Sequence, residues 1–139
     1  MKSEDRTFEE ISVGSTAEFE RTFSERDVAA FAKLSGDNNP LHMDESYAKT
    51  TPFRGRVVHG MLVASLTSTL LGMHLPGRRC LYLGEKLSFK KPVFIEDRLT
   101  IQGEVIHKSV SMRTLTIAIT IRRDDEVVVS GEALAQVLQ

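Results

Sequence analysis

A chain of 139 residues, 41% hydrophobic and 27% charged, has the size of one domain and can bury a core without metal or disulfide staples. Its formal net charge of −1, with acids and bases interspersed, excludes a globally charged partner such as nucleic acid and a disordered acidic arm. The single cysteine, Cys80, excludes an intrachain disulfide and a CxxC metal pair, and suits a reducing cytosol.

The first residues, Met1 to Arg6, have no apolar run, so neither a secretory signal nor a location outside the cytoplasm is expected. Thr16 to Phe23, after a turn at Gly14-Ser15, predicts a first strand. Ser24 with Asp27 three residues on is a variant capping box, and Val28, Phe31 and Ala32 set the period of a short amphipathic helix that Gly36 stops. Asp37 to His42 is expected as a loop, with Pro40 blocking helix continuation. Asp44 to Thr50 predicts a brief second helix.

Val57 to about Leu75 predicts the long helix, roughly 27 Å at 1.5 Å per residue. Its apolar residues cover most of its circumference, so it should be buried on most sides. Polar interruptions such as His59, Ser65, Thr67 and Ser68 make it a poor membrane span.

After Pro76-Gly77 the period becomes two. Leu81, Leu83, Leu87 and Phe89 alternate with polar or small residues. So do Leu99, Ile101, Gly103 and Val105; then Leu115, Ile117, Ile119 and Ile121; then Val127, Val129, Gly131 and Ala133 after the turn Asp124-Asp125. These predict four antiparallel strands with one buried face each. With no repeat and no linker, residues 1–139 form a single α+β domain: a curved antiparallel sheet wrapped around a long central helix. The sheet has edges, and pairing with a second copy is a natural way to cover one.

The segment Asp37-Asn38-Asn39-Pro40-Leu41-His42 carries the candidate chemistry. A carboxylate and an imidazole near one point can share a water, take a proton from it or pass one to a neighbouring carbon. Asn39 offers a donor and an acceptor. By spacing alone a turn-capping Asp37 and a surface His42 are the commoner reading of such a pair. Val58-His59-Gly60-Met61 opens the long helix, whose free N–H groups favour negative charge. Gly60 permits close approach of a ligand, as of a thioester carbonyl turning into an enolate oxyanion, or simply tight packing. His59 reads as structural, and Ser65 as bonded back to a helix carbonyl. A metal set of Asp37, His42 and Asp44 has few ligands and no second histidine nearby.

Phe23-Ser24, Asp27-Val28, Phe31-Ala32, Leu34-Ser35-Gly36-Asp37, Asn39-Pro40, His42, Asp44 and Val58-His59-Gly60-Met61-Leu62 resemble the (R)-specific enoyl-CoA hydratases of the MaoC-like dehydratase family. Tyr82-Leu83-Gly84, Leu87-Ser88-Phe89 and Pro92-Val93 extend the likeness, which runs from about Phe8 to the C-terminus. The resemblance implies a hot dog fold, a homodimer, and reversible syn hydration of a trans-2-enoyl-CoA to a (3R)-3-hydroxyacyl-CoA in fatty acid or polyhydroxyalkanoate-type metabolism. It implies that Asp37 and His42 activate the water, Asn39 supports the site, Gly60 supplies an oxyanion N–H, and Ser65 is a partner of the pair. No cofactor, metal or membrane is expected.

Three other readings share the fold. A 3-hydroxyacyl-ACP dehydratase would use the same residues on a carrier-protein thioester. An acyl-CoA thioesterase would use a carboxylate on or near the long helix, and Val57 to Leu75 has none. A non-catalytic acyl-CoA-binding subunit would not need an intact Asp37, Asn39 and His42. Acyl length is expected to depend on Thr50 to Arg56 and the strand near Tyr82. Arg54, Arg56, Arg78, Arg79, Lys90 and Lys91 are candidates for CoA phosphates, with solvated surface charge as the ordinary role of each.

Overall fold

A computed structural model describes residues 1–139. Five strands form one antiparallel sheet: β1 (Thr16–Thr22), β2 (Cys80–Phe89), β3 (Arg98–Ser109), β4 (Thr114–Arg123) and β5 (Glu126–Val137). Their spatial order is β1-β3-β4-β5-β2, so β1 and β2 are the edges. The alternation in β3 and β4 puts Leu99, Ile101, Val105, Leu115, Ile117, Ile119 and Ile121 on one face, each at most 1% exposed. That face curls over the helix α4 (Gly60–Thr69) and the π-helical turn Leu70–His74 that continues it. This is the hot dog arrangement expected from the sequence.

At Gly103 the sheet and the helix end approach closely. A Cβ there would stand 2.7 Å from Leu70 Cδ2 and 3.1 Å from Ile117 Cγ2, so glycine lets the helix end seat on the sheet.

Ahead of the helix, α1 (Glu25–Ser35) has the expected reciprocal capping box of Ser24 and Asp27. It ends at Gly36 in the left-handed conformation, φ 82°. Two single-turn helices follow, α2 (Pro40–Met43) and α3 (Glu45–Ala48).

Four expectations are corrected. The segment expected as a loop up to His42 turns helical at Pro40. Proline occupies the first helical position, where its missing N–H has no partner to lose. The long helix begins at Gly60, not Val57, because Val57 bridges Phe94 and the Val58 N–H bonds Val93 O, holding both valines extended. In β2, Leu81 and Leu83 face outward. A register shift between Tyr82 and Gly84 interrupts the alternation, so Cys80, Tyr82 and Leu87 contact the core instead. In β5 a second shift skips Val128 in the pairing and buries it beside Val129, leaving Val127 half-exposed.

Candidate active site

The turn between α1 and α2 is built from side chains bonding to nearby backbone. Ser35 Oγ donates to Phe31 O and accepts from the Asp37 N–H at 3.1 Å. Asp37 Oδ1 accepts from the Asn39 N–H at 3.1 Å, an Asx turn. Asn39 Oδ1 accepts from the Leu41 N–H at 2.9 Å and so caps α2. Asn39 thus fixes the turn that carries His42. Asp37 keeps its Oδ2 free.

His42 is held from the segment before α4. Its Nδ1 lies 2.7 Å from Val57 O. A carbonyl only accepts, so Nδ1 bears the hydrogen, and the neutral ring presents a lone pair at Nε2. Arg56 Nε donates to His42 O at 2.6 Å, and the Val57 N–H bonds Leu41 O at 3.2 Å. Arg56 is itself anchored to Glu25 at 3.1 Å. Of the cations considered for phosphate binding, Arg56 is therefore engaged in holding His42, and Arg78 and Arg79 pair with Asp5.

His42 Nε2 and Asp37 Oδ2 stand 4.0 Å apart. This is too long for a direct hydrogen bond and close to the span bridged by one water bonded to both.

His59, read from the sequence as structural, joins this group. Its side chain is 1% exposed, its Nε2 bonds Asp37 O at 3.0 Å, and its ring lies against His42 with centroids 4.1 Å apart. Asp37, His42 and His59 bring ligand-type atoms within 4.8 Å of one another, so a second histidine is near after all. Asp44 is elsewhere, accepting from the Tyr47 N–H as the cap of α3. The planes of the two rings are tilted by 32° to one another. Each ring spends one nitrogen on a backbone carbonyl, which leaves one nitrogen of each ring open.

His42 and Gly60 open into one cleft of about 300 Å³, walled by Phe53 and Phe89 and bordered by Lys90 and Lys91. Gly60 is the first residue of α4, and no backbone carbonyl accepts its N–H. A Cβ at Gly60 would touch only the Phe89 ring, at 3.5 Å, an ordinary contact. Close packing therefore does not require glycine here; an added methyl would project toward the cleft wall.

Phe53 meets the expectation that the segment from Thr50 to Arg56 shapes the cleft. Tyr82 and Ser65 border a separate depression. Tyr82 Oη bonds Glu85 and Thr67, and burial pushes its phenol up to about 12. Glu85 thereby brings a carboxylate to Thr67 on α4, which the thioesterase reading lacked, but the group is already bonded and lies outside the His42 cleft. Ser65 donates to Leu62 O at 2.6 Å within its own helix, with no bond to Asp37 or His42.

Sequence and structure comparisons place the chain among known proteins. A family model described as MaoC like domain matches residues 9–127. The (R)-specific enoyl-CoA hydratase of Aeromonas caviae is 45% identical over 128 residues, covering 91% of this chain and 95% of that protein. The 3-hydroxybutyryl-CoA dehydratase of Methylorubrum extorquens is 40% identical over 94% of this chain and 83% of its own length. Among solved structures, the unliganded R-hydratase PhaJ1 of Pseudomonas aeruginosa superposes with a TM-score of 0.93 at 36% identity, covering 99% of this chain and 88% of its own.

Proposed function

The chain belongs to the MaoC-like domain family, and on that footing we propose that it is an (R)-specific enoyl-CoA hydratase, a hydro-lyase acting reversibly on trans-2-enoyl-CoA. The observation that carries the reading is the 4.0 Å gap between His42 Nε2 and Asp37 Oδ2, with His42 sharing its cleft with the free N–H of Gly60. Hydration of an α,β-unsaturated thioester needs a held water and a site for the charge that develops on the carbonyl oxygen.

The thioester carbonyl accepts from Gly60 at the start of α4, where the helix end favours negative charge. This draws electrons from C3. The water held by Asp37 and His42 gives up a proton to the pair as its oxygen bonds C3, and the enolate electrons then take a proton at C2 from the same pair. The pair's charge is unchanged over the turnover, and the elements of water are both delivered from one side of the cleft, giving syn addition. Asp37, His42 and Gly60 carry the reaction, Asn39 supports it through its cap, and Ser65 takes part only through its helix.

A homodimer fits two features of the single chain. Met61, Ser65 and Ser68 leave an open stripe along α4, with Met61 64% exposed, and Leu81 and Leu83 lie exposed on the neighbouring edge strand. No helix is long and apolar enough to cross a membrane. A cytoplasmic location fits the lone thiol of Cys80.

The test is the loss of enoyl absorbance with crotonyl-CoA and longer enoyl-CoAs, followed by chiral analysis of the product. A (3R) product is expected. Unchanged absorbance with every chain length, on CoA and on acyl carrier protein, defeats the reading; turnover on the carrier protein alone moves it to a dehydratase of fatty acid synthesis. Free CoA released from a saturated acyl-CoA would favour a thioesterase.

A further inference from the structure

His59 belongs to neither of the roles so far assigned, yet it touches both halves of the site. It is 1% exposed and immediately precedes Gly60, which lines the cleft and whose N–H no backbone carbonyl accepts. Its Nε2 reaches 22 residues back to the backbone carbonyl of Asp37, at 3.0 Å. Its ring packs against His42 on one side and meets the edge of Phe31, with centroids 4.9 Å apart, on another.

We propose that His59 is a positioning residue that fixes the distance between the water-holding pair and the oxyanion N–H. The proposal rests on the hydratase reading of the site. The side chain of Asp37 is steered by its own turn, but that turn is exposed and bonds mainly to itself. The Asp37 O to His59 Nε2 bond ties it directly to the N-cap of the buried helix, beside the bonds that hold Leu41 and His42 to Arg56 and Val57. Because the acceptor is a carbonyl, His59 must donate from Nε2. Its Nδ1 is buried and has no hydrogen-bond partner. A hydrogen there would be an unsatisfied buried donor, so the favoured form is the tautomer with hydrogen on Nε2 alone.

The two histidines are thus fixed in opposite tautomers. His42 carries its hydrogen on Nδ1, toward Val57 O, and His59 on Nε2, toward Asp37 O. His42 is left with its Nε2 lone pair for the water. The His59 ring blocks one face of His42 and keeps it from rotating away. An error of about 1 Å in such a spacing costs on the order of 100-fold in rate.

The experiment compares steady-state hydration of crotonyl-CoA by the wild-type protein, His59→Phe and His59→Gln. Phenylalanine keeps a ring and loses the donor; glutamine can place an N–H near the position of Nε2. The expected result is a kcat lowered by about 100-fold in His59→Phe with KM little changed, and partial recovery in His59→Gln. Both limbs of the pH profile should persist in both variants, since His59 moves no proton. Wild-type kcat in His59→Phe, a change confined to KM, or loss of one limb overturns the proposal. Nitrogen NMR of the wild-type protein supplies a reading independent of any variant's folding: hydrogen on Nε2 of His59 with a bare Nδ1 is expected, and the reverse tautomer overturns the proposal. Absence of turnover in the wild-type protein would instead defeat the hydratase reading, which the NMR result does not touch.

Discussion

Asp37 Oδ2 and His42 Nε2 face each other across 4.0 Å, each held by a bond on its far side. Asp37 spends Oδ1 on the Asn39 N–H, and His42 spends Nδ1 on Val57 O. Neither group satisfies the other, and both point their remaining acceptor at the same gap.

Each half of the pair should therefore be indispensable to activity and of little weight in the fold. Asp37→Asn keeps an oxygen for the Asn39 N–H but offers no proton acceptor of comparable basicity. His42→Gln keeps a polar side chain and loses the imidazole. Each is expected to lower kcat/KM by at least about 100-fold, the common scale of acid–base catalysis. Circular dichroism and sedimentation should match the wild-type protein. Full activity in either variant would end the assignment.

Gly60→Ala separates site from scaffold at a single atom. The new Cβ meets Phe89 at 3.5 Å, which the fold can accept, and alanine has less backbone freedom than glycine to lose on folding. Stability is expected to hold or rise slightly in thermal melts. The methyl crowds the approach to the N–H, and kcat/KM is expected to fall by about 10-fold or more, within the range for weakening one oxyanion donor. Unimpaired turnover would remove Gly60 from the oxyanion role.

The layers of this fold were legible where one residue type decides the structure. Leu115, Ile117, Ile119 and Ile121 alternate without interruption, and all four are buried. Ser24 and Asp27 formed the cap their spacing implied. Legibility failed where a contact from elsewhere in the chain decides. Pro40 stops one helix, yet it starts the next because Asn39 caps it. Leu81 and Leu83 keep the period of a buried face, but a register shift on an edge strand turns them out. The pair Asp37 and His42 was found in the sequence because both lie in one short segment. His59 was not joined to it, since only the tertiary fold brings a residue 22 positions away onto the Asp37 carbonyl.

Tyr82 predicts a pH dependence away from the reaction. Burial is the main cause that pushes its phenol from 10.0 up to about 12, and the bond to Glu85 adds to it. The neutral phenol is the form the fold favours. Its contribution to stability is fully present below about 10, the unfolded value, and is lost as pH rises through about 12. Thermal melts at increasing alkaline pH should show the advantage of the wild-type protein over Tyr82→Phe shrinking across that window. An advantage that stays constant would show that Tyr82 does not titrate with folding.

Gly131 tests the sheet rather than the cleft. It lies in β5 opposite Leu87 of β2, and a Cβ would fall 2.0 Å from the backbone oxygen of Lys86 and 2.9 Å from Leu87 Cα. Both obstacles are main chain, so no rotamer change relieves them; β2 must move away from β5. That strand carries Phe89, which walls the cleft beside Gly60. Gly131→Ala is therefore expected to cost on the order of 3 kcal/mol in denaturant unfolding, the upper part of the range for overpacking. Residual activity should fall with it, through a displaced Phe89. A variant as stable as the wild-type protein would mean that β2 and β5 are less closely apposed in solution than their pairing implies.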